Sequence, residues 1–306
     1  MRSEIIVSGG RIYHLGLAKG ELAKNIFLVG DPARAERVAK RFDKIDHTVR
    51  NREYVTITGR YRGLPSSVIG TGIGTDNVEI AVIEAYAVNE INFETQQRET
   101  ASPLTFIRIG TSGGVQPDTI PGSMAIAEYG LGLDSTGFYY DRQEDDPVIR
   151  EIERETLAVL DKAAPPGFRF KGKTIPYASR ASSEVVHALE TQSEREVCDF
   201  ETGITVSSPG FYGPSSRNIE GFTNTIPDIK GQLAGLNIQG KRVINMEMES
   251  SLLFHLCGII GYRASTICPM ISNPGSSDEI VDYESAIEQA ITIGLNAMLD
   301  LNSDHD

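Results

Sequence analysis

Phe106-Ile107-Arg108-Ile109-Gly110-Thr111-Ser112-Gly113-Gly114 joins an apolar run to a turn carrying one guanidinium, two hydroxyls and three glycines. Backbone N–H groups opened by glycine, hydroxyls beside them and an arginine in reach suit a small oxyanion such as phosphate. The plainer role for Arg108 is to cap the sheet through carbonyls or an acidic neighbour. A buried guanidinium requires a partner in either case. Gly30-Asp31-Pro32-Ala33-Arg34 repeats the chemistry after the apolar Asn25–Val29, with proline where a first helical turn accepts it. Asn51-Arg52-Glu53-Tyr54 offers a third arginine at the head of a strand, and Thr71-Gly72-Ile73-Gly74 closes the next one. Asn245-Met246-Glu247-Met248-Glu249-Ser250 sets two carboxylates and two thioethers at a helix opening. A carboxylate there can accept both hydroxyls of a cis diol, or simply oppose the helix macrodipole.

These residues need elements to hold them. Apolar periodicity and turn residues predict strands 25–29, 53–60, 66–71, 104–109 and 122–128, with helices 33–42, 76–90 and 146–163. Further on they predict strands near 173–179, 203–208 and 262–271, and helices near 229–236, over 250–256 and over 282–300. Segment 92–102 is polar, lacks apolar periodicity and reads as an exposed loop. Such alternation argues for a mixed or mostly parallel sheet flanked by helices.

Composition narrows the partners. A net charge of −13 argues against nucleic acid, which needs a basic face, but permits a small phosphate held by a local arginine cluster. No apolar run approaches the ~18 residues that span a bilayer. The opening Met1-Arg2-Ser3-Glu4 has no long apolar segment of a secretory signal, so a cytoplasmic protein is expected. Cys198, Cys257 and Cys268 are odd in number and lack metal-ligand spacing, which fits reduced thiols, the last two as core fillers.

The combination of these motifs, with His14-Leu15-Gly16-Leu17 near the start, resembles the uridine phosphorylase branch of the nucleoside phosphorylase family. The resemblance runs from about His14 to the last helix. It implies an α/β fold: a single α/β/α domain over residues 1–306 with a central mixed, partly closed sheet. It implies a pentosyltransferase that cleaves nucleosides with phosphate, giving free base and ribose 1-phosphate, with inorganic phosphate as co-substrate and no cofactor. Gly30, Arg34, Arg108 and Thr111 would hold the phosphate, joined by Arg52 from a neighbouring subunit. Met248 and Glu249 would hold the ribose, with His14 from the neighbour at the 5′-hydroxyl. Phe211 would stack on the base and Arg217 would donate to one of its carbonyls, also stabilising charge on the leaving base. Shared residues make a homo-oligomer of at least two chains the expected unit. Some relatives bind a structural monovalent cation, for which Glu53, the Ile73 carbonyl and Asn77 are the matching groups; no metal is required for the chemistry.

The chain departs from that pattern at the base. Ser215 stands where uridine phosphorylases carry a glutamine that reads N3–H and O2 of uracil, and serine cannot make that bidentate contact. Purine-specific members place an aspartate after the strand near Met270-Ile271-Ser272; this chain has Asn273-Pro274, and asparagine is no general acid. A relaxed, pyrimidine-preferring phosphorylase is therefore expected. The alternatives are a purine nucleoside phosphorylase, a hydrolytic nucleosidase and a non-catalytic nucleoside-binding protein on the same fold. Three retained arginines weigh against hydrolysis, and Arg108, Thr111 and Glu249 against simple binding.

Overall fold

A computed structural model describes residues 2–99, 101–143, 146–272 and 283–303. A short hairpin of β1 (Val7–Ser8) and β2 (Arg11–Ile12) precedes the main sheet. That sheet collects β3 (Asn25–Val29), β4 (Lys44–Asn51), β5 (Tyr54–Tyr61), β6 (Leu64–Gly70), β7 (Thr105–Ile109), β8 (Gly113–Gly114) and β9 (Met124–Gly132). It also takes β10 (Tyr177–Arg180), β11 (Phe200–Ser207), β12 (Asn237–Ile238), β13 (Lys241–Glu247) and β14 (Arg263–Pro269). Seven helices among the described residues pack on it and on one another: α1 (Pro32–Ala39), α2 (Thr75–Glu90), α3 (Pro147–Ala163), α4 (Ser183–Arg195), α5 (Ile229–Ala234), α6 (Ser250–Ile260) and α7 (Tyr283–Ser303).

The strand order is β12-β13-β11-β9-β14-β7-β3-β6-β5-β4. Strands β14, β7, β3 and β6 run parallel, as do β9, β11 and β13, and the two blocks meet antiparallel at β14 and β9. β3 and β7 are buried along their whole length, which explains their largely apolar sequences. The mixed sheet is as expected, but it is open: its terminal strands, β12 and β4, do not pair with each other. One link works toward closure. Past the Gly110 turn the chain of β7 continues as β8, which pairs with Asn245 and Met246 of β13 and draws the two blocks round a common cavity.

Three of the longer elements, and the two-residue strands β1, β2, β8 and β12, lie outside the expectations from sequence. β4 is an edge strand exposed along most of its length, so its residues show no two-residue apolar period. α4 is amphipathic, buries Val185, Val186 and Leu189, and packs against α7. β13 opens on the half-buried Lys241-Arg242 and buries the rest of its length. The helix expected over 33–42 ends at Ala39. The expected loop after α2 is largely exposed, yet it forms a bridge between Ile91 and Arg98, and Arg98 pairs with buried Glu90 at 2.6 Å.

Candidate active site

Parallel strands β3 and β7 end side by side, with Leu28 in register with Arg108, so both glycine turns open at one edge. At the first turn Asp31 caps α1, its carboxylate accepting from the Ala33 N–H at 2.9 Å. That start points Arg34 inward with Ala35 and Val38. The Arg34 guanidinium donates to the Ile109 carbonyl at 3.2 Å and has no carboxylate within ion-pairing reach among the described residues. Burial and then the positive charge of Arg108 lower its pKa, so two cations are held close together in the interior.

Arg108 folds back over Gly110. A Cβ on that glycine would stand 2.0 Å from Arg108 Nη1, so only glycine leaves room for the guanidinium. Arg108 pairs with Glu249 through Nη2 and with Glu247 at 3.1 Å through Nη1. Burial works against its charge, but these two carboxylates outweigh burial and raise its pKa. The acidic-neighbour role is thus realised for Arg108 alongside its place at the glycine turn. Behind it sits Cys268, whose thiol burial pushes up to about 12. Cys257 and Cys268 are both buried, as core fillers should be.

The turn between β13 and α6 is organised by Glu247. Its carboxylate accepts from Ser207 Oγ at 2.6 Å and from the N–H groups of Glu249 and Ser250 at 3.0 Å. Glu247 is buried, because those donors and Arg108 all converge on it. Glu249 accepts from the Gly74 N–H at 2.9 Å, where Gly74 (φ +100°) starts α2 in a conformation that favours glycine. Burial raises the pKa of Glu249; Arg108 opposes this and Glu247 adds to it.

One cavity of about 430 Å³ gathers these groups. Gly30, Arg34, Arg108, Thr111, Met248, Glu249, Phe211, Ser215 and Arg217 all line it. The Arg217 guanidinium lies 4.2 Å from the centre of the Phe211 ring, a cation–π stack. Ser215 Oγ donates to the Gly210 carbonyl at 2.9 Å, so its proton is committed to its own loop.

His14 and Arg52 are not among the lining residues. They form a separate cluster in the same chain: Arg52 Nη2 donates to the Tyr13 hydroxyl at 2.6 Å, and His14 Nδ1 lies 2.7 Å from Glu84. Arg52 sits at φ +52° in the two-residue turn between β4 and β5, a strained setting for a non-glycine residue. Of the cation candidates, Asn77 donates its amide to the Ile73 carbonyl at 3.1 Å, and Glu53 is exposed nearby. Among the described residues no group of three or more His, Cys, Asp or Glu could hold a metal ion.

Several lining residues were given no individual role in the sequence reading: Asp31, Ser112, Met246, Lys230 and Ser272. The first three lie inside the quoted site motifs. Ser112 is notable because its hydroxyl is buried and, among the described residues, has no hydrogen-bond partner. Lys230 and Ser272 gave no usable signal, being single polar residues in ordinary surroundings. Asn273 and Pro274, on which the purine reading turned, lie outside the described residues.

Comparison with known proteins agrees with this geometry. The family model of the phosphorylase superfamily matches residues 24–298. A uridine phosphorylase of Treponema pallidum is 38% identical over 285 residues, covering 91% of each chain. A uridine phosphorylase of Thermococcus kodakarensis is 30% identical over 264 residues, 86% of this chain and 78% of that one. In structure, a Trypanosoma brucei nucleoside phosphorylase described as having uridine phosphorylase activity superposes with a TM-score of 0.85 at 26% identity, covering 97% of this chain and all of the other. With a family match spanning most of its length, this chain belongs to the phosphorylase superfamily.

Proposed function

We propose that this protein cleaves nucleosides with inorganic phosphate, preferring pyrimidine nucleosides of the uridine type. The observation that carries the reading is that one cavity gathers buried Arg34 and Arg108, the carboxylate of Glu249, and the stacked Phe211 and Arg217. Those groups suit phosphate, sugar and base respectively. The uridine phosphorylases among its relatives support the same substrate class.

Arg34, Arg108, Thr111 and the Gly30 turn hold the phosphate against C1′, and Glu249 accepts the ribose hydroxyls. As the C1′–N bond breaks, its electron pair leaves with the base, where Arg217 stabilises the charge. A phosphate oxygen forms the new bond to the cationic C1′, giving ribose 1-phosphate, and the base takes its proton from water. Positioning and preorganised charge supply the acceleration, with no nucleophilic side chain. Arg52 and His14 act from a second copy of the chain, which makes the working unit at least a dimer. No helix of the described residues is long and apolar enough to cross a membrane, and a cytoplasmic setting suits the three free thiols.

The test is a nucleoside panel incubated with and without phosphate. Base release that requires phosphate and yields ribose 1-phosphate supports the proposal. Phosphate-independent release with free ribose marks a hydrolase; binding without turnover marks a binding protein.

A further inference from the structure

Ser215 Oγ donates to the Gly210 carbonyl, and Arg217 lies over the Phe211 ring with its Nε buried and without a hydrogen-bond partner among the described residues, so the donors offered to a base are cationic side chains. Lys230 lies on the lining of the same cavity. Its backbone N–H donates to Ser216 Oγ at 3.0 Å, which ties it to the loop that carries Ser215 and Arg217. Its ammonium reaches over the glycine turn: a Cβ on Gly113 would stand 3.7 Å from Lys230 Nζ and 3.0 Å from Ser272 Oγ. Glycine at 113 keeps that space clear between the oxyanion turn and the amine.

We infer that Lys230 is a specificity-determining residue whose ammonium donates to a carbonyl oxygen of the base. The inference rests on the phosphorolysis reading and sharpens it. An ammonium has three donors and no acceptor, so it favours an oxo group and opposes an exocyclic amine. The substrate class is therefore nucleosides of oxo-bases, with uracil and thymine bases accepted ahead of cytosine. Together Lys230 and Arg217 place two cations at the end where the leaving base gathers negative charge.

The experiment measures binding of three free bases by calorimetry in phosphate buffer: uracil, 2-pyrimidinone (lacking O4) and 4-pyrimidinone (lacking O2). Proteins are the wild type, Lys230→Met and Lys230→Arg, each checked for an unchanged thermal midpoint. In the wild type, deleting the oxygen that Lys230 reads should weaken binding roughly ten- to hundredfold, the range of a lost charge-assisted hydrogen bond. Lys230→Met should weaken uracil binding by the same factor and become indifferent to that oxygen, while Lys230→Arg keeps the discrimination. If Lys230→Met discriminates as the wild type does, or the wild type prefers uracil to neither analogue, the inference is overturned. Phosphate-dependent uridine cleavage by the wild type is assayed in parallel. Its absence would sink the phosphorolysis reading, whereas turnover combined with failed discrimination would sink only the role of Lys230.

Discussion

Replacing Arg34 with methionine should separate binding from stability, because this arginine is buried and, among the described residues, has no carboxylate partner. In the folded chain it has one carbonyl acceptor and the adverse charge of Arg108 nearby. Losing the Ile109 hydrogen bond costs about 1 kcal/mol. Removing a buried charge that lacks good compensation returns a similar amount or more, as replacing buried ions with apolar residues often does. The stability of Arg34→Met in phosphate-free buffer should therefore equal or exceed that of the wild type. Activity should move the other way. A charge-assisted contact to phosphate is worth about 1.5–3 kcal/mol, which lowers kcat/KM for phosphate roughly 10- to 150-fold. Thermal shift gives a second readout. Phosphate at a hundredfold over the wild-type Kd should stabilise the wild type by about 2.7 kcal/mol, and the variant should lose about half of that gain or more. A variant that is destabilised while its phosphate kcat/KM stays unchanged would refute the reasoning and make Arg34 a structural residue.

Arg108→Ala should behave oppositely, losing activity and about 3–5 kcal/mol of stability by denaturant unfolding, since it strands Glu247 and Glu249. Glu249, raised above the usual carboxylate range chiefly by burial, must be ionised to accept ribose hydroxyls. Nucleoside kcat/KM should rise with pH through that raised value, and this limb should vanish in Glu249→Gln. The sign for stability is reversed: the contribution of Glu249 is complete below the ordinary carboxylate range and is lost as pH rises through the folded value, which pH-dependent unfolding measures. Ser215→Gln should raise the uridine preference over thymidine and inosine, read as ratios of kcat/KM. Mixing Arg52→Ala with Arg34→Met protein under subunit exchange should restore activity, because one site of a mixed dimer keeps both arginines.

The two glycine turns were legible because the strands before them are buried. β3 and β7 are therefore largely apolar, and the turns after them stand out by their glycines and arginines. Proline at the start of α1 and aspartate before it mark that helix equally well. The pairing of Arg108 with Glu249 was not legible as a contact. The two residues are 141 positions apart, and they meet because two residues of β8 cross to β13. β4 was missed because an exposed edge strand has no apolar face to betray it. Lys230 was missed for a related reason. It stands on a six-residue helix and joins the site through one backbone bond to Ser216, which no periodicity records.

The charge of the cavity wall explains why a second copy of the chain belongs in the proposal. At the phosphate and sugar end the buried groups are Arg34 and Arg108 against Glu247 and Glu249, so the charges of that end cancel within one chain. A phosphate dianion entering such a neutral, buried site adds two uncompensated charges, which a low-dielectric interior resists. Arg217 and Lys230 are positive, but they sit with Phe211 and Gly113 toward the base. Protonation of Glu249 would supply one compensating charge, yet it would spoil the acceptor that the ribose needs. An arginine brought in from outside supplies the charge without that conflict. Arg52 fits the requirement: it is carried at the tip of a hairpin, on a strained turn, with its guanidinium held 4.6 Å from the Tyr13 ring centre and outside the cavity of its own chain. An arginine so placed is of little use to its own site, which is what the proposed shared site asks of it.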